Sequence, residues 1–183
     1  MVGMRSFFAC SLRRVGQFSI VLACGLSACS PALNWRETRP PDSGLSALFP
    51  CKPDHHVRRV TLAGAELTMQ LSSCTAADSV YALSRVDVGQ AVRVTPVLQA
   101  LREAAAENIG GPTTVKDPQP VPGMTPHPLA QRLGWSGKRA DGSMIAAQAM
   151  FFTQGTQVYQ ATVVGTRLNA GAVDTFFAAL KLN

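Results

Sequence analysis

The sequence predicts an α+β domain in which two main helices cover an antiparallel sheet. Apolar and polar residues alternate from Leu67 to Ser72, which is the pattern of a half-buried strand. Asp141-Gly142 separates two apolar stretches and is typical of a hairpin turn. Apolar residues recur with helical spacing near residues 95–109 and 170–180. Strands, a helix, a three-strand meander and a final helix, in that order, favour helices packed on a sheet.

The first half of the domain is expected to form a hairpin followed by a third strand. The predicted elements are a turn of helix at residues 45–49 and strands at residues 57–62, 67–72 and 79–88. Ala63-Gly64-Ala65-Glu66 is the predicted turn of the hairpin. Trp35 precedes these elements in a proline-containing segment. We expect it to dock on the domain as part of a first edge strand, and the alternative is an exposed interface anchor.

Both helices have recognisable ends. Thr95 is a good N-cap, Pro96 suits the first helical position, and Gly110-Gly111-Pro112 ends the first helix. Asn169 is the expected cap of the second helix. The predicted buried stripes are Val97, Leu98, Leu101, Ala105 and Ile109 in the first helix, and Val173, Phe176, Phe177 and Leu180 in the second.

A proline-rich stretch divides the helix from the meander. Residues 116–128 contain five prolines, between Pro118 and Pro128, and are predicted to form a long loop. The loop is either a surface crossover or a segment that docks a partner. Three strands are expected after it, at residues 129–139, 143–153 and 156–165, and the second of these is apolar on both faces.

The start of the chain has the features of a targeting signal. Arg13-Arg14 precedes an apolar run of 14 residues that ends in Leu26-Ser27-Ala28-Cys29. A basic segment, a short apolar run and small residues before the cut define a secretory signal peptide. The four-residue ending resembles the lipobox of bacterial lipoproteins. That resemblance implies that the Cys29 sulfur receives a diacylglycerol, that the chain is cut before Cys29, and that the new amine is acylated, for example with palmitate.

An uncleaved membrane anchor is the alternative. A spanning helix needs about 20 apolar residues, and a longer helix here would carry Arg13 and Arg14 inside the bilayer. We therefore assign residues 1–28 to the signal peptide, 29–44 to a tether leading into the domain, and 45–183 to a single domain. Ser30 follows the lipidated residue where an aspartate would retain the protein, so resemblance to enterobacterial sorting implies a periplasm-facing location on the outer membrane.

The cysteines divide into three groups. Cys10 and Cys24 leave with the signal, and Cys29 is the lipid acceptor. Cys51 and Cys74 remain as a pair in an oxidising compartment, which favours a disulfide. A redox or metal-binding thiol pair is the alternative, although the spacing is far from C-x-x-C.

The charge pattern argues against nucleic-acid binding. The precursor has a net charge of +6, and three of its basic residues lie in the signal peptide. No block of like charges and no basic stripe with interleaved aromatic residues follows. The expected partners are the membrane, through the lipid on Cys29, and an envelope protein or a small ligand.

The domain resembles a known fold. Leu48-Phe49-Pro50-Cys51-Lys52-Pro53 before a hairpin, one mid-chain helix, a three-stranded meander and a terminal helix with Phe-Phe are similar to the Mog1/PsbP-like fold, over residues 45–182. Bacterial lipoproteins with such a domain are similar as well. The resemblance implies a non-catalytic accessory or partner-binding role by analogy of fold, and no functional residue of the family can be placed on this chain.

Histidines supply the rival hypothesis. His55 and His56 follow Asp54, and His127 lies in the proline-rich loop, so the rival is an envelope hydrolase or a metal-binding protein. Adjacent residues of a strand point to opposite faces, which disfavours joint ligation by His55 and His56. Ser136 and Asp141 would complete a triad with His127, but no G-x-S-x-G motif surrounds the serine. We predict no catalytic, metal or cofactor site.

Overall fold

The computed structural model describes residues 33–41, 43–116, 120–139 and 141–183. The predicted signal peptide, Cys29 and Pro118 lie outside the described residues. Residues 31–183 form one compact unit, and both hydrophobic clusters and the disulfide lie within it. Among the described residues, no helix combines the length and apolarity that a membrane span requires.

The described chain consists of ten strands and two α-helices, besides one short 3-10 turn. In chain order they are β1 (Arg36–Thr38), β2 (Leu45–Phe49), β3 (Asp54–Leu62), β4 (Ala65–Ala76), β5 (Ser79–Asp87), α1 (Val94–Ile109), β6 (Thr114–Val115), β7 (Arg132–Lys138), β8 (Met144–Gln154), β9 (Gln157–Gly165), α2 (Ala170–Ala178) and β10 (Lys181–Leu182).

All strand pairs are antiparallel, in two sheets. Seven strands form the large sheet in the order β3-β4-β5-β9-β8-β7-β6, and β1-β2-β10 form a small sheet. The prediction of an antiparallel sheet with two helices is therefore confirmed. Short hairpins connect β3, β4 and β5 in succession, and likewise β7, β8 and β9.

The large sheet is covered on both faces. Helix α1 packs on one face in a cluster with Val86, Trp135 and Phe151. Helix α2 packs on the other face, in a cluster that includes β2, Tyr81 and Phe152. Successive strand residues point to opposite faces, so Phe151 and Phe152 of β8 belong to different clusters. This arrangement explains why β8 is apolar on both faces, as predicted.

The N-terminal part of the fold corrects one expectation. Residues 45–49 form strand β2 instead of a turn of helix, because Leu45, Ala47 and Phe49 alternate into the core while β1 and β10 pair with its two edges. Trp35 docks on the domain as expected, with its ring edge-to-face against Tyr81 at 6.5 Å. Residues assigned to the tether, from Leu33 onward, are thus part of the described fold.

The start of α1 also differs from the prediction. The helix begins at Val94 after a 3-10 turn at Ala91–Arg93, and its N-cap position is Arg93, whose side chain makes no capping hydrogen bond. The hydroxyl of Thr95 is hydrogen-bonded to His127, so it serves a tertiary contact and not the cap. The predicted end at Gly110 is confirmed, with a φ of 71° at that residue.

The hairpin and the last helix follow the prediction closely. Strands β3 and β4 are longer than expected, and their turn shrinks to Ala63-Gly64. Asn169 caps α2 by accepting a hydrogen bond from the Ala172 amide at 3.0 Å. A disulfide joins Cys51 and Cys74, whose Cα atoms are 6.0 Å apart, and clamps the open end of the β3–β4 hairpin.

Candidate functional site

An open cleft of about 460 Å³ lies on the α2 face of the large sheet, beyond the start of α2. Its floor is formed by β7 and β8, one wall by β6 and Lys116, and the other wall by the connection between β9 and α2. We call it the cationic cleft. Its lining includes Thr114, Lys116, Gly134, Ser136, Met144, Ala146, Thr166, Arg167 and Leu168.

Small residues keep the floor of the cationic cleft low. Ser136 is opposite Ala146, and Ala146 is opposite Gly165, so three neighbouring strands present small residues in one row. At Gly134 a Cβ atom would lie 2.8 Å from the Cε atom of Lys116. The absence of a side chain at Gly134 therefore gives the stem of Lys116 room to lie across the strand.

Four polar side chains of the cleft have no partner among the described residues. Lys116 and Arg167 are exposed, and neither forms an ion pair within the described part of the chain. No hydrogen bond of the described residues involves the hydroxyls of Ser136 and Thr166. The lining contains two cations and no carboxylate. A site of this composition favours a negatively charged ligand.

A second arginine next to the cleft is already satisfied. Arg132 forms an ion pair with Asp174 at 2.7 Å, donates two hydrogen bonds to Gln148, and lies 4.6 Å from the centre of the Phe177 ring. Its side chain is only 10% exposed. Arg132 therefore anchors α2 to the sheet and contributes a satisfied charge beside the cleft.

The proline-rich loop is fastened to the sheet along its described part. Val121 is buried, the Leu182 amide donates to the Pro122 carbonyl at 2.8 Å, and the Thr125 amide donates to the Thr153 carbonyl at 2.7 Å. A cavity of about 300 Å³ lies beneath it, lined mainly by apolar residues such as Val121, Met124, Met150 and Phe152. The loop is thus a surface crossover held in place, and partner docking on it stays a prediction.

The three histidines have different surroundings and share no hydrogen-bond partner. His55 contacts the Ser72 hydroxyl at 2.8 Å, and His56 is exposed at the next position of β3. His127 accepts from the Leu129 amide with Nδ1 at 3.1 Å and lies 3.0 Å from the Thr95 hydroxyl with Nε2. In the described ranges, no group of three His, Cys, Asp or Glu side chains is placed to hold a metal ion.

The residues of the possible triad also occupy different places. Asp141 accepts a hydrogen bond from the Ser143 amide at 2.8 Å in the β7–β8 turn, and its interaction with Ser143 lowers the pKa of its carboxyl. Ser136 lies in the cationic cleft, whereas the imidazole of His127 contacts the first turn of α1. Across the parts of the chain that the structure describes, no hydrogen bond links these three side chains.

A second exposed region is the hairpin of β3 and β4, which we call the hairpin arm. The first six residues of β3 are all exposed. Where β5 borders the arm, Arg85 donates from Nε to Gln157 at 2.6 Å and from Nη1 to Gln70 at 3.1 Å. Asp87 accepts from the Gly89 amide at 2.8 Å, and this bond, with those from Gln157 and Thr156, lowers the pKa of its carboxyl.

No protein-family model matches the chain, and no curated protein matches it. The functional conclusion therefore depends on the geometry of the described residues. Sequence reasoning did not find Lys116 or Arg167, since neither belongs to a motif and only the strand register brings them to one cleft. The alternation of the small residues Gly134 and Ser136 in β7 is the local pattern that could have indicated a low floor there.

Proposed function

We propose that the protein is a lipid-anchored envelope protein whose non-catalytic domain binds a small organic anion in the cationic cleft. The anchor is supported by the predicted signal peptide at residues 1–28, which Cys29 follows directly. The envelope location is further supported by the Cys51–Cys74 disulfide, because such bonds persist in oxidising compartments. The order of strands and helices supports a Mog1/PsbP-like fold. Members of that fold are mostly accessory proteins, so analogy of fold supports a non-catalytic role here.

The observation that carries the binding proposal is a cleft with two cations and no carboxylate. Lys116 and Arg167 stand on opposite walls, so an anionic group between them would meet both charges. The hydroxyls of Ser136 and Thr166 can donate to the same group. Met144 and Leu168 offer apolar surface beside it. These features suit a carboxylate or a phosphate ester that carries a slender apolar body.

The hydrogen bonds around the histidines support a binding role over the rival hydrolase or metal-binding role. Nδ1 of His127 accepts from a backbone amide, which places the proton of the neutral ring on Nε2, toward Thr95. A ring held in this way supports the junction of α1 and the proline-rich loop. The neighbours His55 and His56 lie on opposite faces of β3, so they would serve different surfaces.

Octyl phosphate is a suitable probe for the cleft. Residues from 29 onward, with Cys29→Ser to prevent lipidation, are titrated with octyl phosphate below its micelle concentration and followed by amide NMR shifts. We expect saturable shifts at Gly134, Ser136 and Ala146, which line the floor. Octanol, which has the same chain without the charge, should give no saturable shifts at these amides.

Charge variants on the two faces of the sheet distinguish binding in the cleft from general attraction to a basic protein. Lys116→Gln with Arg167→Gln should weaken octyl phosphate at least about tenfold, the effect of losing about 1.4 kcal/mol of binding free energy. Arg93→Gln removes an exposed charge at the start of α1, on the opposite face of the sheet, and should change the affinity less than twofold. Equal weakening in both variants, or no saturable binding, would reject the proposed ligand class.

The anchor is tested separately in cells. Radiolabelled palmitate should be incorporated into the wild-type chain and not into Cys29→Ala, which should accumulate as uncut precursor. Equal labelling of both chains would reject the lipid on Cys29 and leave the cleft unaffected.

A further inference from the structure

Strand β3 is an open edge of the large sheet. The turn that joins β3 to β4 determines which backbone groups of β3 point away from β4. The two turn residues Ala63 and Gly64 have φ values of 48° and 75°, as in the two-residue hairpin loops that match strand twist. Leu62 and Ala65 close this loop as a hydrogen-bonded pair. Because bonded and non-bonded pairs alternate, the N–H and C=O groups of His55, Val57, Arg59 and Thr61 are directed away from β4.

These outward groups have no partner in the described chain. Strand β3 pairs with β4 alone, and no other backbone hydrogen bond of the described residues involves it. The opposite edge of the sheet is very different, since β6 has only two residues while β3 has nine. Edge strands are usually kept short or covered because they can accept another strand. Strand β3 therefore offers the one long edge among the described strands of the large sheet.

The side chains of β3 select the charge of an added strand. Arg58 and Arg59 are adjacent, so one points to each face of the sheet, and neither forms an ion pair within the described residues. Val57 beside them is 69% exposed, which leaves an apolar contact on the same edge. The nearest acidic residues of the hairpin, Asp54 and Glu66, lie toward its two ends. The middle of the edge is therefore basic on both faces.

The same charges argue against a second copy of this chain as the occupant. Two β3 strands in an antiparallel pair centred on this edge would bring the arginines of one copy against those of the other. Like charges directly opposite each other destabilise a strand pair. Acidic side chains in the same places would form favourable cross-strand pairs, so the charge pattern disfavours self-pairing centred on the arginines and favours a partner of opposite charge.

We propose that β3 binds an extended acidic segment of another protein as an added strand of the large sheet. The backbone groups of Val57 and Arg59 supply the hydrogen bonds, and the two arginines select adjacent acidic residues in the segment. The Cys51–Cys74 disulfide lies next to the Asp54–Ser73 pair and holds the base of β3 on β4. The edge is thus kept in strand geometry before the partner arrives, which lowers the cost of binding.

The test uses two short threonine- and valine-rich peptides that differ only in the central pair, two glutamates or two lysines. Each carries a fluorophore and is titrated with the unlipidated mature chain while anisotropy is measured. We expect the glutamate peptide to bind, with an affinity that falls as salt is raised, and the lysine peptide to bind at least tenfold more weakly. Amide exchange at Val57 and Arg59 should slow in the complex.

Two variants of Val57 distinguish the contribution of its backbone N–H to peptide binding from the contribution of its side chain. Val57→Pro removes an N–H that points away from β4, so the hairpin should keep its ladder while peptide binding falls at least tenfold. Val57→Thr keeps that N–H and should bind within about threefold of wild type. Equal loss in both variants, with both folded, would overturn the edge-strand proposal.

Charge reversal tests the proposal even if the proline variant fails to fold. Arg58→Glu with Arg59→Glu should switch the preference from the glutamate peptide to the lysine peptide. An unchanged preference, or no binding of either peptide to wild type, would overturn the proposal. Octyl phosphate binding in the cationic cleft should not change in this variant, since the cleft lies at the β6–β8 end of the sheet.

Discussion

The centre of the large sheet and the hairpin arm use the same antiparallel pairing but are covered very differently. At the centre, β5, β9 and β8 are packed by α1 on one face and by α2 on the other. On the arm, β4 is mostly half-buried and β3 is mostly exposed. Burial of apolar surface therefore stabilises the centre, whereas the arm depends on its backbone ladder and on the disulfide at its base.

This difference separates the source of stability from the sites of recognition. Substitutions in the centre should destabilise the domain strongly, whereas the charged residues of the two proposed binding sites lie outside both hydrophobic clusters. An uncovered arm would fray if it were held by a ladder alone. The disulfide allows a long open edge to remain in strand geometry without a covering helix.

The largest effect is expected at the centre. Phe176 is fully buried and its ring packs edge-to-face against Phe49 and Tyr81. Phe176→Ala should lower the free energy of unfolding by about 3–5 kcal/mol, from the lost burial and the cavity left behind. Urea unfolding followed by fluorescence measures this change.

A control from the arm sharpens the contrast. Val57→Ala removes a side chain that is 69% exposed, and it should change the free energy of unfolding by no more than about 0.5 kcal/mol. Similar losses at Phe176 and Val57 would show that the arm contributes to the core, contrary to this division of the fold.

The next effect concerns the clamp of the arm. Replacing both Cys51 and Cys74 by serine opens a loop with a sequence separation of 23 residues. The expected loss is about 3 kcal/mol in the chain-entropy description. Hydrogen exchange should quicken more in β3 and β4 than in β8 and β9, because the latter are held by packing on both faces. Uniform acceleration across the sheet would contradict a local role for the disulfide.

Periodicity predicted the centre well because packing there follows simple alternation. The apolar run of β8 could be recognised as buried on both faces. The predicted stripes of α1 and α2 face the core, although Ala105 and Ile109 of α1 are only partly buried. The disulfide between Cys51 and Cys74 could be predicted because two cysteines remain after the predicted signal peptide, in a compartment expected to be oxidising. These features are local in sequence or follow from counting.

The missed features depend on contacts between distant segments. Residues 45–49 are too few for helix and strand periodicity to differ clearly, and pairing with β1 and β10 decides the outcome. Thr95 is a plausible N-cap in the sequence, but in the fold its hydroxyl is hydrogen-bonded to His127, which is distant along the chain. Lys116 and Arg167 meet in one cleft only because the register of β7, β8 and β9 aligns small residues between them.

A small effect is expected at the junction of the two regions. Asp87, the last residue of β5, accepts hydrogen bonds from the Gly89 amide and the Thr156 hydroxyl, and its pKa falls below the ordinary value of 3.8. A carboxyl with a lowered pKa in the folded state stabilises the fold above its unfolded pKa, and this contribution disappears as pH falls through the folded pKa. Asp87→Asn should therefore be slightly less stable than wild type near neutral pH, by less than about 1 kcal/mol for so exposed a group.

The pH dependence distinguishes the charge of Asp87 from its shape. Thermal unfolding of wild type and Asp87→Asn is compared from neutral pH down to about pH 2.5, below the ordinary pKa of a carboxyl. The stability difference should shrink toward zero at the acid end, where wild type loses the same charge. Thr156→Val keeps the carboxylate but removes one donor, so its stability difference should shrink over the same range, and from a smaller starting value. A difference between wild type and Asp87→Asn that stays constant with pH would mean that the side-chain charge does not stabilise this junction.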